Sequence, residues 1–264
     1  MEQTLAGRTA LITGSTSGIG HGIALLYAQA GAKVMLNGFG SSAEIAKARA
    51  EIGAAMGVAE APYSAADLSK PDAVRQMVKE AEAALGSVDI LVNNAGIQFV
   101  APIDEFPDDK FDAIIAINFA SNFHAIKAAL PGMKARNWGR IINIASAHGL
   151  VASPQKVAYV SAKHAVVGMT KTVALEVAKL PITCNAICPG FVRTPLAEAQ
   201  VGPLAKSHNV SEQVALEDFL LEKQPSKRWI EVDEVARMAL YLVGPGSGGV
   251  NGAALSIDGG WLAA

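Results

Sequence analysis

Short apolar runs with the character of buried strands alternate with helix-patterned stretches along the whole chain, and this alternation narrows the possible folds more than any other feature. "TALITG" at 9–14 leads into a helical "GIALLYAQAG", and "KVMLNG" at 33–38 into "SAEIAKARAEIGAAMG". "VAEAPYSAAD" at 58–67 precedes "DAVRQMVKEAEAALG", and "VDILVNNAG" at 88–96 precedes a helical region from about Asp108 to Asn137. "RIINIAS" at 140–146 precedes a helix from about Pro154 to Lys179. "ITCNAICPG" at 182–190, a helix near Asp233–Val243 and a short strand, "AALSID", complete the series. Strand-then-helix order with short connections requires a parallel sheet with right-handed crossovers, covered by helices on both faces. The expected fold is α/β, a single-domain Rossmann-type doubly wound parallel sheet spanning 1–264, with no repeat or linker.

One segment departs from the rhythm. Residues 195–230, read as two short helices and a loop, are longer than a plain crossover needs. Ligands of open α/β sheets sit beyond the carboxyl ends of the strands, so an insertion after such an end is placed to act as a small helical lid.

Composition removes several classes of function. Of 264 residues, 51% are hydrophobic and only 17% charged, which suits a large buried core. The net charge of −2, without a basic run, argues against nucleic acid. No stretch reads as the ~20 apolar residues of a membrane helix, and the N-terminus lacks a leader pattern. The expectation is a soluble, cytoplasmic protein with no membrane partner. Cys184 and Cys188 read as small buried hydrophobes, and five histidines without ligand spacing give no reason to expect a metal.

Gly14, Gly18 and Gly20 lie between the first strand and the first helix as G-x-x-x-G-x-G. A dinucleotide site needs a tight turn, close backbone approach to pyrophosphate, and helix N-terminal amides facing negative charge. Cofactor type is read after the second strand, where an acid would hold ribose hydroxyls and a cation a 2′-phosphate. Asn37, Gly38 and Phe39 occupy that place, and Ser15 and Thr16 are uncharged. With no cation for a phosphate and a bulky Phe39 nearby, NAD is expected. Asp67 and Leu68 suit an adenine-edge contact, a turn-capping aspartate being the alternative for Asp67.

Together with "NNAG" at 93–96, Ser146, Tyr159-x-x-x-Lys163, "PGFVRT" at 189–194 and "SIDGGW" near the end, this glycine turn gives the chain a resemblance to the short-chain dehydrogenase/reductase family over nearly its whole length. Tyr159 and Lys163 are four apart in a helical pattern and share a face. For a tyrosine titrating near ~10 to work near neutrality takes a shift of roughly 3 units, about 4 kcal/mol. A neighbouring ammonium and an oxidised nicotinamide both act in that direction. The resemblance implies that Tyr159 is the general acid/base, that Lys163 lowers its pKa and holds the nicotinamide ribose, and that Ser146 orients the reacting oxygen. It implies a proton-relay water on Asn118, cofactor contacts from Asn94, Gly96, Thr16, Ile19, Pro189, Gly190 and Val192, and a carboxamide contact from Thr194.

His148 and Lys156 remain. Lys156 is about one turn before Tyr159, and a cation and an imidazole flanking a reaction centre suggest an anionic substrate end. Within the family the chain resembles the bacterial D-3-hydroxybutyrate dehydrogenases, which implies that Gln98, His148, Lys156 and Gln200 hold a carboxylate. Phe191 stands where members often carry Trp beside the substrate methyl. The implied partner is a small hydroxy or keto carboxylic acid, the implied reaction NAD-dependent oxidation of (R)-3-hydroxybutyrate to acetoacetate and its reverse, and the implied assembly a homotetramer. The rivals are an NADPH-dependent 3-ketoacyl-thioester reductase, disfavoured by the missing phosphate-binding cation, and a non-enzymatic nucleotide-binding protein, disfavoured by the intact Ser–Tyr–Lys set.

Overall fold

The computed structural model describes residues 3–263. Seven strands form one parallel sheet in the order β3-β2-β1-β4-β5-β6-β7. The strands are β1 (Thr9–Ile12), β2 (Lys33–Asn37), β3 (Tyr63–Ser64), β4 (Ile90–Asn93), β5 (Gly139–Ile144), β6 (Ile182–Pro189) and β7 (Ala254–Ile257). The crossover helices are α1 (Gly18–Gln29), α2 (Ser42–Met56), α3 (Pro71–Leu85), α4 (Asp108–Ile115), α5 (Ser121–Ala135) and α6 (Val157–Val177). After β6 come α7 (Pro195–Glu198), α8 (Val201–His208), α9 (Glu212–Val214) and α10 (Val232–Val243). This is the doubly wound α/β sheet that the alternation implies.

The central strands β1, β4 and β6 are buried along their whole length, which is why they read as continuous apolar runs. Ile12, Ile23, Val34, Ile90 and Val92 meet α1 and α10 on one face; Leu11, Met77, Leu91, Ile141 and Met133 meet α3 and α5 on the other. Each such side chain contributes roughly 1.5–3 kcal/mol by leaving water.

Three boundaries differ from the sequence reading. The third strand shrinks to Tyr63–Ser64, because Pro62 has no N–H to give and the strand lies at the sheet edge. The helix expected from Pro154 starts at Val157, because Gln155 sits in the left-handed region (φ 63) and breaks the turn before it. The insertion holds α7, α8, α9 and a π-helical turn, Ala215–Leu220, rather than two short helices.

The run Asp108–Ala135 forms one 28-residue helix through a π-helical turn at Ala116–Ala120. By length and composition alone it is apolar enough to cross a membrane, a test that the core helix of a folded domain also passes. In this fold Ala125, Ile126, Ala129 and Met133 of its inner face are buried against the sheet.

The fold sets the site's position. β1 runs outward to β2 and β3, while β4 lies on its other side, so the crossovers diverge and leave a crevice at the carboxyl ends of β1 and β4. The residues after β4, β5, β6 and β7 emerge along the same rim.

Candidate active site

The turn after β1 is fastened directly to the end of β4. Thr13 Oγ1 accepts from the backbone N–H groups of Asn94 (2.9 Å) and Ala95 (3.1 Å), and the Asn94 amide donates to the carbonyls of Thr13 and Gly14, both at 2.9 Å. A Cβ on Gly14 (φ +60) would lie 2.8 Å from Ala95 Cα, so both the conformation and the close approach demand glycine there. Gly20 faces inward, where a Cβ would strike Asn94 Nδ2 and Gly14 O, and it serves packing rather than the groove. α1 then begins at Gly18 with no side-chain cap and no acid in its first turn, leaving its first amides to the groove.

That groove, about 350 Å³, is lined by Gly14, Thr16, Gly18, Ile19, Phe39 and Leu68, with Asn94, Gly96 and Thr194 at its inner end. Among the described residues no charged side chain lines it. Asn37 turns inward instead, its amide donating to the carbonyls of Ser64 and Ala66, and Thr16 Oγ1 donates to Phe39 O at 2.8 Å. Asp67 does not reach the groove. Its Oδ1 accepts from the N–H and hydroxyl of Ser69, which holds its carboxyl below the usual range, so the turn-capping alternative describes it.

A second cavity, about 610 Å³, continues from the groove past Asn94 and Gly96. Ser146, Tyr159 and Lys163 line it together. Ser146 follows β5 and accepts the N–H of His148 at 3.1 Å, capping a short turn over Ala147–Gly149. Lys163, one turn after Tyr159 on α6, is buried; its ammonium donates to Ile144 O at 2.8 Å and lies 5.5 Å from the Tyr159 ring centre. Burial brings the Lys163 amine down to about 8. Burial also pushes the Tyr159 phenol above its ordinary 10.0, and the opposing influence is a hydrogen bond with Ser146. Asn118 sits in the π-helical turn, with Oδ1 accepting from Ile97 N (2.8 Å) and Nδ2 donating to Ile97 O (2.9 Å). These two bonds hold the loop after β4 against the turn.

Gln98, His148, Lys156 and Gln200 come from four separate segments and all line this cavity. Burial and the nearby Lys223 lower the Lys156 amine, while burial, then Lys156, Lys223 and His164, bring the His148 imidazole down to about 4. His148 is therefore neutral at physiological pH. Among the described residues no carboxylate lines the cavity, so their field is that of Lys156 and Lys163 beside neutral donors, an arrangement suited to an anion. Pro189, Gly190, Phe191 and Val192, after β6, complete the wall.

The short chain dehydrogenase family profile matches residues 8–202. The chain belongs to the short-chain dehydrogenase family. Among its relatives, the D-beta-hydroxybutyrate dehydrogenase of Rhizobium meliloti (strain 1021) is 50% identical over 256 residues, covering 97% of this chain and 99% of that one. The protein of the same name from Cupriavidus necator is 50% identical over 259 residues, covering 98% and 99%. The crystal structure of levodione reductase matches with a TM-score of 0.89 and 31% identity over 98% of this chain and 99% of that one.

The sequence reading gave several lining residues of this short-chain dehydrogenase no role, among them Phe99, Leu196 and, most consequentially, Trp261. Trp261 lines the cavity, stacked on Phe191 (ring centres 5.7 Å, planes 5° apart) and edge-on to His148 at 5.0 Å. The signal was present: "IDGG" directly follows a strand's carboxyl end, where ligands of such sheets bind. Gly259 (φ 60) and Gly260 (φ 92) supply the reversal that brings the indole back over the site.

Proposed function

We propose that this short-chain dehydrogenase interconverts (R)-3-hydroxybutyrate and acetoacetate with NAD. The observation that carries the reading is the single cavity uniting Ser146, Tyr159 and Lys163 with Gln98, His148, Lys156 and Gln200, with no acid on its wall among the described residues. The uncharged groove fits NAD: glycine backbone and the first amides of α1 would receive the pyrophosphate, Phe39 and Leu68 the adenosine end, and Thr194 the carboxamide. Among the described residues, neither a cation for a 2′-phosphate nor a competing acid lies along it. Bound NAD supplies the hydride acceptor.

The protein's part is orientation and proton transfer. Lys156 and the neutral donors of Gln98, His148 and Gln200 fix the carboxylate at one end of the substrate. Ser146 holds the hydroxyl oxygen beside Tyr159, whose phenolic oxygen takes the proton during oxidation and returns it during reduction. Lys163 keeps positive charge beside that phenol and reaches the ribose. The stacked Phe191 and Trp261 rings close the apolar side over the methyl end and exclude water.

The test follows NADH formation from (R)-3-hydroxybutyrate and NAD, beside the (S) enantiomer and beside acetoacetyl-CoA with NADPH. Turnover of the (R) acid alone is the expected result. Turnover of the thioester with NADPH and not of the free acid would overturn the substrate and cofactor assignment together.

A further inference from the structure

Two side chains outside the cavity form a chain leading to His148, Ser153 touching the ring and Lys223 touching Ser153, and neither has a part in the reaction described so far. Ser153, in the loop before α6, places Oγ 2.8 Å from His148 Nε2. Lys223, in the turn that ends the insertion after β6, places its ammonium 3.0 Å from the same oxygen. An ammonium can only donate, so it occupies a Ser153 lone pair, and the hydroxyl proton must find an acceptor elsewhere. Among the described residues the one acceptor within reach is His148 Nε2. A neutral imidazole that accepts at Nε2 carries its proton on Nδ1.

Nδ1 is the nitrogen left for the cavity. It has no partner among the described residues and is not sealed from solvent, since the buried unpartnered side-chain atoms are Arg140 Nε and Thr183 Oγ1 alone. Tyr159 and Trp261 stand edge-on to the ring at 6.0 Å and 5.0 Å, and turning it to offer the other nitrogen would break the hydrogen bond with Ser153. The residue after Lys223 secures the same segment to the opposite wall. Gln224 is fully buried, and its Oε1 accepts the Phe191 N–H at 3.1 Å.

We propose that Lys223 is a positioning residue which, through Ser153, fixes His148 as the Nδ1–H tautomer and so readies a hydrogen-bond donor for the substrate carboxylate. The assignment rests on the carboxylate-binding reading of the cavity. It also gives the insertion a role beyond covering the site, since its seating delivers the ammonium that sets the imidazole. The charged and titratable groups facing His148 agree with a neutral ring, for Lys156, Lys223 and His164 all oppose its protonation.

Two measurements test this in the full-length protein. Long-range nitrogen–proton correlation spectra of histidine-labelled protein, with His148→Gln to assign the ring, report which nitrogen is protonated. The wild type is expected to show Nδ1–H, Lys223→Met and Ser153→Ala a shift toward Nε2–H, and Lys223→Arg the wild-type pattern. In parallel, Lys223→Met and Ser153→Ala should each raise the KM for (R)-3-hydroxybutyrate about fivefold to tenfold with a smaller change in kcat, the worth of one ordinary hydrogen bond, since the shifted tautomer weakens the contact without removing the ring. The double variant should lose no more than the worse single one. An Nε2–H wild type, unaltered spectra in both variants, or multiplying losses would overturn the relay. Should Lys223→Met fail to fold, Ser153→Ala decides alone. If the wild type does not turn over the (R) acid, the substrate reading falls while the spectra still decide the tautomer.

Discussion

Gly149→Ala should impair catalysis through the geometry between two elements rather than through any lost chemical group. Gly149 is buried in the short turn that carries Ser146 and His148, facing the middle of α6. A Cβ there would stand 2.9 Å from Lys163 O, 3.1 Å from Val167 Cγ2 and 3.3 Å from Lys163 C. Ordinary contact begins at 3.4 Å, so the turn and α6 must part by 3.4 − 2.9 = 0.5 Å at Lys163 O. Gly149 has no positive φ, so the cost is steric alone. That parting falls between Ser146 on one element and Tyr159 and Lys163 on the other. A displacement of ~1 Å can cost about 100-fold in rate, so half of that predicts about a tenfold fall in kcat. Overpacking should also remove about 1–3 kcal/mol of stability. Gly168→Ala is the control: it lies on the same helix with nothing within 4 Å of its Cβ. There alanine should stabilise by about 1 kcal/mol through helix propensity. Initial rates with (R)-3-hydroxybutyrate and NAD, and urea unfolding midpoints, are measured on both variants. If Gly149→Ala keeps kcat within about twofold of wild type and unfolds like Gly168→Ala, the turn–helix contact does not govern the spacing of the catalytic groups.

Two further outcomes are expected. Lys156→Ala should raise the KM for the acid about 100-fold, the cost of removing a charged partner in a partly buried site, while the NAD dissociation constant measured by fluorescence titration stays close to wild type; an unaltered KM would remove Lys156 from the carboxylate site. His148, lowered from 6.5 to about 4, binds its proton more readily in the unfolded chain, so it contributes stability above pH 6.5 that is lost as pH falls toward 4. Urea midpoints between those pH values should therefore decline less steeply in His148→Gln, and parallel profiles for the two proteins would contradict the neutral buried imidazole.

The layout of the sheet and the cofactor groove could be read from the sequence because their signals are local. A glycine turn between strand and helix, or a Tyr and a Lys one helical turn apart, fixes its meaning within about twenty residues. What could not be read depends on partners far along the chain. Trp261 reaches the site because β7 joins the sheet beside β6, and Lys223 meets Ser153 across seventy positions. Asn118 and Asp67 illustrate the converse. Their positions were legible, but their side chains are held by Ile97 and Ser69 through hydrogen bonds that no motif specifies. The surroundings of Tyr159 were only partly legible for a related reason: spacing from Lys163 gives a charge's proximity but says nothing of how deeply the fold buries the phenol.

The diverging crossovers at β1 and β4 also bear on how such an enzyme can be re-engineered. Apart from Ile19, every residue lining the substrate cavity is Asn94 or later in the chain, whereas Gly14 through Leu68 furnish the adenosine half of the cofactor groove. A chimera joined within β4 would exchange one cofactor preference for another and leave the acid-binding wall almost untouched. The seam to preserve in such a graft is the clasp of Asn94 on Thr13 and Gly14, which couples the two halves across the switch in strand order.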